Sequence, residues 1–333
     1  MFVFDRKQDI YEIGKTKVGG QPGEVATVLA GTIFYAKHDI VEDADKGIFD
    51  KKRAEEAINK QDEMSDTTGN PCWIQIFSES EEAMVKEIEF CAKVSDDPFL
   101  IDSTVAEAKM AGAKYCDEVG LSDKAIYNSI NMSITDDEYD LIKNSKLESA
   151  ILLSFNPKDA TVAGRADLME TGAGTIKIKG VEKGILTIGK ECGITKPLID
   201  PATLPIGAGA GSTCACALVF KSKWGIPCGL GIHNAPSAWT WIKTYRKEHS
   251  ERVEEAGKKK WVGPGAEAFK MCDVGSNVIP ALLGNDFVLY GPIEHAPTVF
   301  PLIGMIDMIV GEAAQTEHEI EIKEPHPYLT MSA

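Results

Sequence analysis

Apolar and β-branched residues gather in eight short runs, at 27–34, 72–77, 98–104, 125–131, 149–155, 196–203, 226–234 and 287–293. Each is nearly continuous in hydrophobicity, the mark of a strand covered on both faces rather than of a half-solvated antiparallel strand. Segments of helical composition separate them, at 50–65, 80–94, 104–119, 136–144, 180–191, 212–224 and 237–255, with a further pair at 264–283 and 297–314. Asp50, Ser80 and Ser212 stand at helix starts, where a side-chain oxygen accepts a bond from an otherwise unpaired N–H. Strand–helix alternation repeated eight times predicts an α/β protein with a single (β/α)8 TIM barrel. One domain is expected over 1–333, with an N-terminal extension (1–26), an insertion near 246–265 and a C-terminal tail (317–333).

Four of the runs finish in a carboxylate or an amide: Leu100-Ile101-Asp102-Ser103-Thr104, Tyr127-Asn128-Ser129-Ile130-Asn131, Leu198-Ile199-Asp200 and Gly229-Leu230-Gly231-Ile232-His233-Asn234. A buried strand that ends this way must give each polar group a partner or set it at a wet mouth. In a barrel the carboxyl ends of the strands converge, so Asp102, Asn128, Asp200 and Asn234 are expected at one site. His233 precedes Asn234, and neighbouring side chains on a strand point to opposite faces, so His233 is expected outside that site.

Charge and cysteine usage narrow the partners. The 333-residue chain is 44% hydrophobic and 26% charged, with a net charge of −16, which leaves no basic footprint for nucleic acid or anionic lipid. The Lys258-Lys259-Lys260 run reads as a solvated loop. No stretch approaches the ~20 apolar residues of a membrane span, and Asp5, Arg6, Lys7 and Asp9 interrupt any secretory signal, so a cytoplasmic protein with no direct membrane insertion is expected. Eight cysteines form no paired CxxC framework, and Cys72, Cys116 and Cys228 sit in or beside apolar runs as buried reduced thiols do. The six histidines show no zinc-binding spacing, and no metal is expected.

Two carboxylates and two amides suit a ligand that presents several N–H donors beside a carbonyl oxygen. A reduced pterin does so through its 2-amino group, ring N3–H and 4-oxo group. The alternative is that the Asp residues are structural or hold a divalent cation; two neutral Asn among four polar ends weigh against it.

The four strand-end segments resemble the pterin-binding barrels of corrinoid-dependent methyltransferases. Gly19-Gly20-Gln21-Pro22-Gly23-Glu24, Gly31-Thr32-Ile33-Phe34-Tyr35, Lys46-Gly47-Ile48-Phe49-Asp50, Thr68-Gly69-Asn70-Pro71 and Tyr290-Gly291-Pro292-Ile293 extend the likeness over nearly the whole chain. On these motifs the chain resembles the H-subunit family of tetrahydromethanopterin S-methyltransferase, which includes bacterial methylcorrinoid:tetrahydrofolate methyltransferases of methylamine and glycine-betaine pathways.

The resemblance implies methyl transfer between the cobalt of a separate corrinoid protein and N5 of a tetrahydropterin. It also implies a homodimer. By position, Asp102, Asn128 and Asp200 would hold the pterin ring and Asn234 would be the catalytic residue at N5. None of the six histidines follows an Asp by two positions, so the Asp-x-His-x-x-Gly cobalamin signature is absent and cobalamin is expected on the partner. The Ile206-Gly207-Ala208-Gly209-Ala210-Gly211 segment is either a close-approach loop for that partner or a plain flexible loop. Tetrahydrofolate is the favoured acceptor, since abundant Cys and Met suit a mesophile, with tetrahydromethanopterin as the alternative. A dihydropteroate-synthase-like condensation lacks basic residues for diphosphate. A class I aldolase lacks a lysine inside a strand, Lys158 lying beyond the fifth run. A non-catalytic docking protein for a corrinoid partner is the alternative of another class.

Overall fold

A computed structural model of the chain describes residues 2–255 and 258–332. Eight parallel strands form the central sheet: β1 (Val28–Ile33), β2 (Cys72–Phe77), β3 (Phe99–Asp102), β4 (Ala125–Ile130), β5 (Ser149–Leu153), β6 (Lys196–Asp200), β7 (Gly229–Leu230) and β8 (Phe287–Pro292). They run in the spatial order β6-β5-β4-β3-β2-β1-β8-β7. A single bridge between Ile199 and Cys228 joins β6 to β7 and closes the barrel.

The helices are α1 (Lys51–Thr68), α2 (Glu81–Val94), α3 (Ala106–Val119), α4 (Asp136–Asn144), α5 (Val162–Glu170), α6 (Ile185–Glu191), α7 (Ala210–Trp224), α8 (Asn234–Ala238), α9 (Thr240–Glu248), α10 (Pro264–Gly275), α11 (Val278–Leu282), α12 (Ala296–His318) and α13 (Pro327–Thr330). Asp50 and Ser80 cap α1 and α2 by accepting from Arg53 N–H and Ala83 N–H. Gly69 ends α1 at φ +82°, a conformation that a Cβ would strain.

The period of two along each strand sorts side chains between two cores. Phe99, Ile101, Tyr127 and Ile199 face the helices. Trp73, Leu100, Ile126, Ile151, Leu198 and Phe287 fill the barrel interior. An antiparallel hairpin, Ile10–Ile13 with Thr16–Gly19, contributes Ile13 and Val18 to that interior and plugs its amino-terminal end. Lys15 at its turn pairs with Asp97 at 2.8 Å.

Several elements differ from the sequence expectation. Helix α5 follows β5 where none was expected, and the 180–191 helix shrinks to α6 because residues 177–178 and 181–182 pair as a small hairpin. The 237–255 helix breaks into α8 and α9 and then enters an antiparallel hairpin, Glu251–Glu255 with Lys258–Val262. Lys258-Lys259-Lys260 therefore lies on a strand, not in a loop. One segment, Ile293–His318, is long and apolar enough to cross a membrane, with mean hydropathy 1.3, contrary to expectation. Its inner face, Val299, Phe300 and Ile303, packs with Leu29 and Tyr290 of the barrel. Its sole charged residue between Glu294 and Glu312, Asp307, is buried and accepts from Thr27 N–H and Oγ1 at 2.8 Å each and from Asn70 Nδ2 at 2.6 Å.

Candidate active site at the carboxyl ends of the strands

Strand parity places the polar ends. Leu100, Ile126 and Leu198 point inward, so the residues two positions on, Asp102, Asn128 and Asp200, form the next inward layer, nearer the mouth. Asp102 and Asn128 are direct partners across the β3–β4 ladder. By the same rule Trp73 is followed by Gln75 on β2, and Ala30 by Thr32 on β1. Gln75 Nε2 donates to Asp102 Oδ2 at 2.6 Å, and Thr32 Oγ1 donates to Gln75 Oε1 at 2.7 Å. Three adjacent strand ends thus form one chain of hydrogen bonds that orients the Asp102 carboxylate.

Asp200 Oδ1 accepts from the Ala202 N–H at 2.7 Å. The Asn128 amide has no side-chain hydrogen bond among the described residues, and its Cα partner shifts from Ile151 to a Leu152–Ile130 pairing at a local bulge. Behind this strand, Lys109 Nζ donates to Ser129 O at 3.0 Å and pairs with Glu138 at 2.7 Å, while the Tyr127 hydroxyl donates to Glu138. That buried triad fixes the backbone beside Asn128 and puts a positive charge within reach of Asp102.

Burial dominates the electrostatics. It pushes Asp102 up to about 6, against the Gln75 bond and the Lys109 charge, which lower it. Asp200 is pushed up to about 7, chiefly by burial, then by the charge of Asp102, against the Ala202 N–H bond and the Arg165 guanidinium. Two carboxyls poised near neutrality can meet N–H donors as acceptors when ionised, and either can hold a proton at slightly lower pH.

Asn234 is a correction to the strand reading. Strand β7 has only Gly229 and Leu230, and Asn234 begins the short α8, exposed at the rim. The physical reason is glycine: Gly229 lies against Phe287, where a Cβ would meet the Phe287 carbonyl at 2.2 Å, and the chain leaves the ladder once past Leu230. Alternation therefore does not govern His233, which packs against Gly291 and lies 3.9 Å from Asp273. Burial, then the nearby His295, lowers His233 to about 4, so it is neutral. The Asn234 amide nitrogen lies over Gly231, which leaves the side chain open to a ligand at the rim.

The residue pattern and the topology agree with a full-length family match. The model described as the MtrH subunit of tetrahydromethanopterin S-methyltransferase matches residues 6–323. The chain belongs to the MtrH family. It is 49% identical over 331 residues to the H subunit of tetrahydromethanopterin S-methyltransferase from Methanothermobacter marburgensis, covering 99% of this chain and 100% of the relative. It is 47% identical over 328 residues to the same protein of Methanocaldococcus jannaschii, covering 98% of this chain and 99% of the relative. Among solved structures, 7,8-dihydropteroate synthase from Vibrio fischeri matches with a TM-score of 0.58 at 12% identity, covering 90% of this chain and 97% of that one. That likeness carries the TIM-barrel fold alone. As a member of the MtrH family the protein is a methyltransferase.

Gln75 and Thr32 in the inward layer and Lys109 behind β4 join this candidate site, and the strand-end pattern does not single them out. Gln75 had a signal, as the one polar residue inside the Cys72–Phe77 run, in phase with Trp73. Lys109 had none, since a lysine on an amphipathic helix reads as solvent-facing. A second acidic group, Asp62, Cys72 and Asp97, meets at the opposite, amino-terminal end of the barrel. There Cys72 Sγ lies 3.2 Å from Asp97 Oδ2, and Lys15 supplies the compensating charge. Grooves of about 390 and 570 Å³ on the outer wall are lined by residues such as Lys86, Glu89, Lys114 and Asp137 and contain no strand-end residue.

Proposed function

We propose that this methyltransferase moves a methyl group between N5 of a tetrahydropterin and the cobalt of a separate corrinoid protein. The observation that carries the reading is the inward layer of Gln75, Asp102, Asn128 and Asp200, with both carboxyls near neutrality. Asp102 and Asp200 would accept from the 2-amino and ring N3–H groups, and Asn128 would donate to the 4-oxo group. Gln75 and Ala202 N–H hold the two carboxylates at fixed angles, which favours a flat ligand with matched donors.

Chemistry at N5 falls to Asn234. Its amide can donate to N5 or accept from N5–H, so it can follow the nitrogen through a change of protonation. Toward the pterin, the N5 lone pair forms the new N–C bond while the C–Co bond breaks and its electron pair stays on cobalt, and the N5–H proton is lost to solvent at the open rim. In reverse, N5 leaves as an amine and needs a donor. In-line displacement at carbon requires no protein nucleophile, and positioning supplies much of the rate. The rim beside Asn234 suits an apolar, bulky co-substrate, because Ile206–Gly211 is a stretch of Ile, Ala and Gly with no charged side chain.

The names of the relatives favour tetrahydromethanopterin as the pterin. They lend no support to the tetrahydrofolate preference drawn from composition. We read the exposed face of α11 and α12 as the contact with a second copy: Ile279, Leu282, Met305 and Ile309 are exposed there, and α12 shows no exposed charge between Glu294 and Glu312. Sedimentation showing a monomer that Met305→Glu leaves unchanged would remove that reading. A cytoplasmic compartment fits eight free cysteines, six of them buried.

The test is anaerobic incubation with methylcob(III)alamin and either tetrahydromethanopterin or tetrahydrofolate, followed by the visible spectrum. Demethylation with tetrahydromethanopterin is expected. Turnover with tetrahydrofolate alone would reverse the choice of pterin. No turnover with either pterin, repeated with a methylated corrinoid protein, would favour a docking role.

A further inference from the structure

Arg165 lies on α5 behind the turn that follows β6, and only 1% of it is exposed. Burying a guanidinium is costly unless a carboxylate or a full set of acceptors compensates. Among the described residues no carboxylate lies within ion-pair distance of Arg165, and its Nε and Nη2 have no hydrogen-bond partner. The Cys216 thiol on α7 lies near the guanidinium, whose charge opposes the upward push of burial on that thiol. All of the Arg165 bonding is concentrated in Nη1, which reaches Pro201 O, Ala202 O at 3.1 Å and Thr213 Oγ1 at 3.2 Å. Thr213 in turn donates to Ala202 O at 3.0 Å.

The Pro201 carbonyl and the Ala202 N–H belong to one peptide plane and point in opposite directions. On one side the carbonyl accepts from Arg165. On the other the N–H donates to Asp200 Oδ1 at 2.7 Å. Ala202 adopts φ +62°, a left-handed conformation that a residue with a Cβ holds only with support from surrounding bonds. Arg165 and Thr213 supply those bonds.

We propose that Arg165 is a positioning residue for ligand recognition, setting the orientation and charge of Asp200 through the Pro201–Ala202 peptide. The inference rests on the reading of Asp200 as a pterin ligand. Two effects run along the same path. Bonding at the carbonyl polarises the peptide and strengthens the N–H bond to the carboxylate. The guanidinium charge also favours ionised Asp200, against burial and against Asp102 on β3. The Cys228 thiol, one residue before β7, also feels the charge of Asp200.

The experiment is a calorimetric titration of the full chain with tetrahydromethanopterin between pH 5.5 and 9, for wild type, Arg165→Met, Arg165→Lys, Thr213→Val and Asp200→Asn. Arg165→Met is expected to weaken binding at least 10-fold at pH 7 and to move the acid limb of the affinity profile upward by roughly one unit, the usual effect of losing a nearby opposite charge. Arg165→Lys returns the limb toward its wild-type position without restoring full affinity, because an ammonium is a compact, strongly hydrated charge on a shorter stem that lacks the rigid plane aiming Nη1 at both carbonyls. A uniform loss of affinity with the limb unmoved in Arg165→Met would overturn the proposal and leave Arg165 as a clamp between α5 and α7. If Arg165→Met does not fold, wild-type affinity and profile in both Arg165→Lys and Thr213→Val would overturn it equally. Wild-type binding by Asp200→Asn would instead remove the assignment of Asp200 itself.

Discussion

Gln75 donates to Asp102 across 2.6 Å, from the neighbouring strand end, and is itself held by Thr32. The bond fixes which Asp102 lone pairs remain for a ligand and opposes the upward push of burial on its pKa. Gln75→Leu removes the donor while keeping the volume. Pterin affinity is expected to fall about 10-fold at pH 7, the worth of one charge-assisted hydrogen bond, with a larger loss near pH 6 as Asp102 takes up a proton more readily. Calorimetry across that range checks it; an unchanged affinity at both pH values would remove Gln75 from the site.

Asp200→Asn separates function from stability. Burial raises the Asp200 carboxyl to about 7 from an ordinary value of 3.8, so the folded chain binds more protons than the unfolded one between these values. Stability is therefore lost as pH rises through that window, and the penalty is complete above it. The Asn variant escapes it and should be about 2–4 kcal/mol more stable than wild type at pH 8, an advantage that shrinks by more than half at pH 5. Chemical denaturation at both pH values reads the difference. Equal stability of the two proteins at pH 8 would mean that Asp200 is not desolvated.

At α12, Asp307 accepts from Thr27 N–H, Thr27 Oγ1 and Asn70 Nδ2 and so ties the helix to the segments that precede β1 and β2. Asp307→Ala leaves these buried donors without an acceptor. A loss of about 2–4 kcal/mol is expected by urea denaturation, with turnover by the folded fraction unchanged, because the carboxylate lies on the outer side of the barrel. A loss of turnover per folded molecule at undiminished stability would contradict this structural role.

Asn234→Ala tests the rim residue. Placed at N5, the amide acts on the methyl transfer step more than on ring binding, so kcat should fall by about 10²-fold while the pterin Kd changes little. Stopped-flow absorbance with methylcobalamin and an equilibrium titration provide the two numbers. The opposite pattern, weakened binding at constant kcat, would make Asn234 a ring contact.

The barrel was legible because its strands are doubly covered, so eight apolar runs survive as a pattern even without alternation. Asp102 and Asp200 were legible because each ends its strand, and Asn128 because it is a polar residue inside an apolar run; strand parity alone turns all three inward above Leu100, Ile126 and Leu198. Helix α5 was not, since it is short, holds Gly164 and Arg165 near its start and follows an Asn156-Pro157 loop, so its apolar phase is weak. Asn234 ends an apolar run whose strand is cut short by close packing at Gly229. The support around Asp200 was invisible for a different reason. Arg165 acts on it through a backbone carbonyl 36 residues away, and no side-chain pattern reports such a contact.

Binding of the reduced pterin ring is assigned to the inward polar layer of Asp102, Asn128 and Asp200. Anaerobic calorimetry of tetrahydromethanopterin with wild type, Asp102→Asn and Asp200→Asn at pH 7.5 tests it most directly. A single site in the wild type, weakened 100-fold or more in each variant while both remain folded, is the predicted result; affinities equal to wild type in both would contradict it.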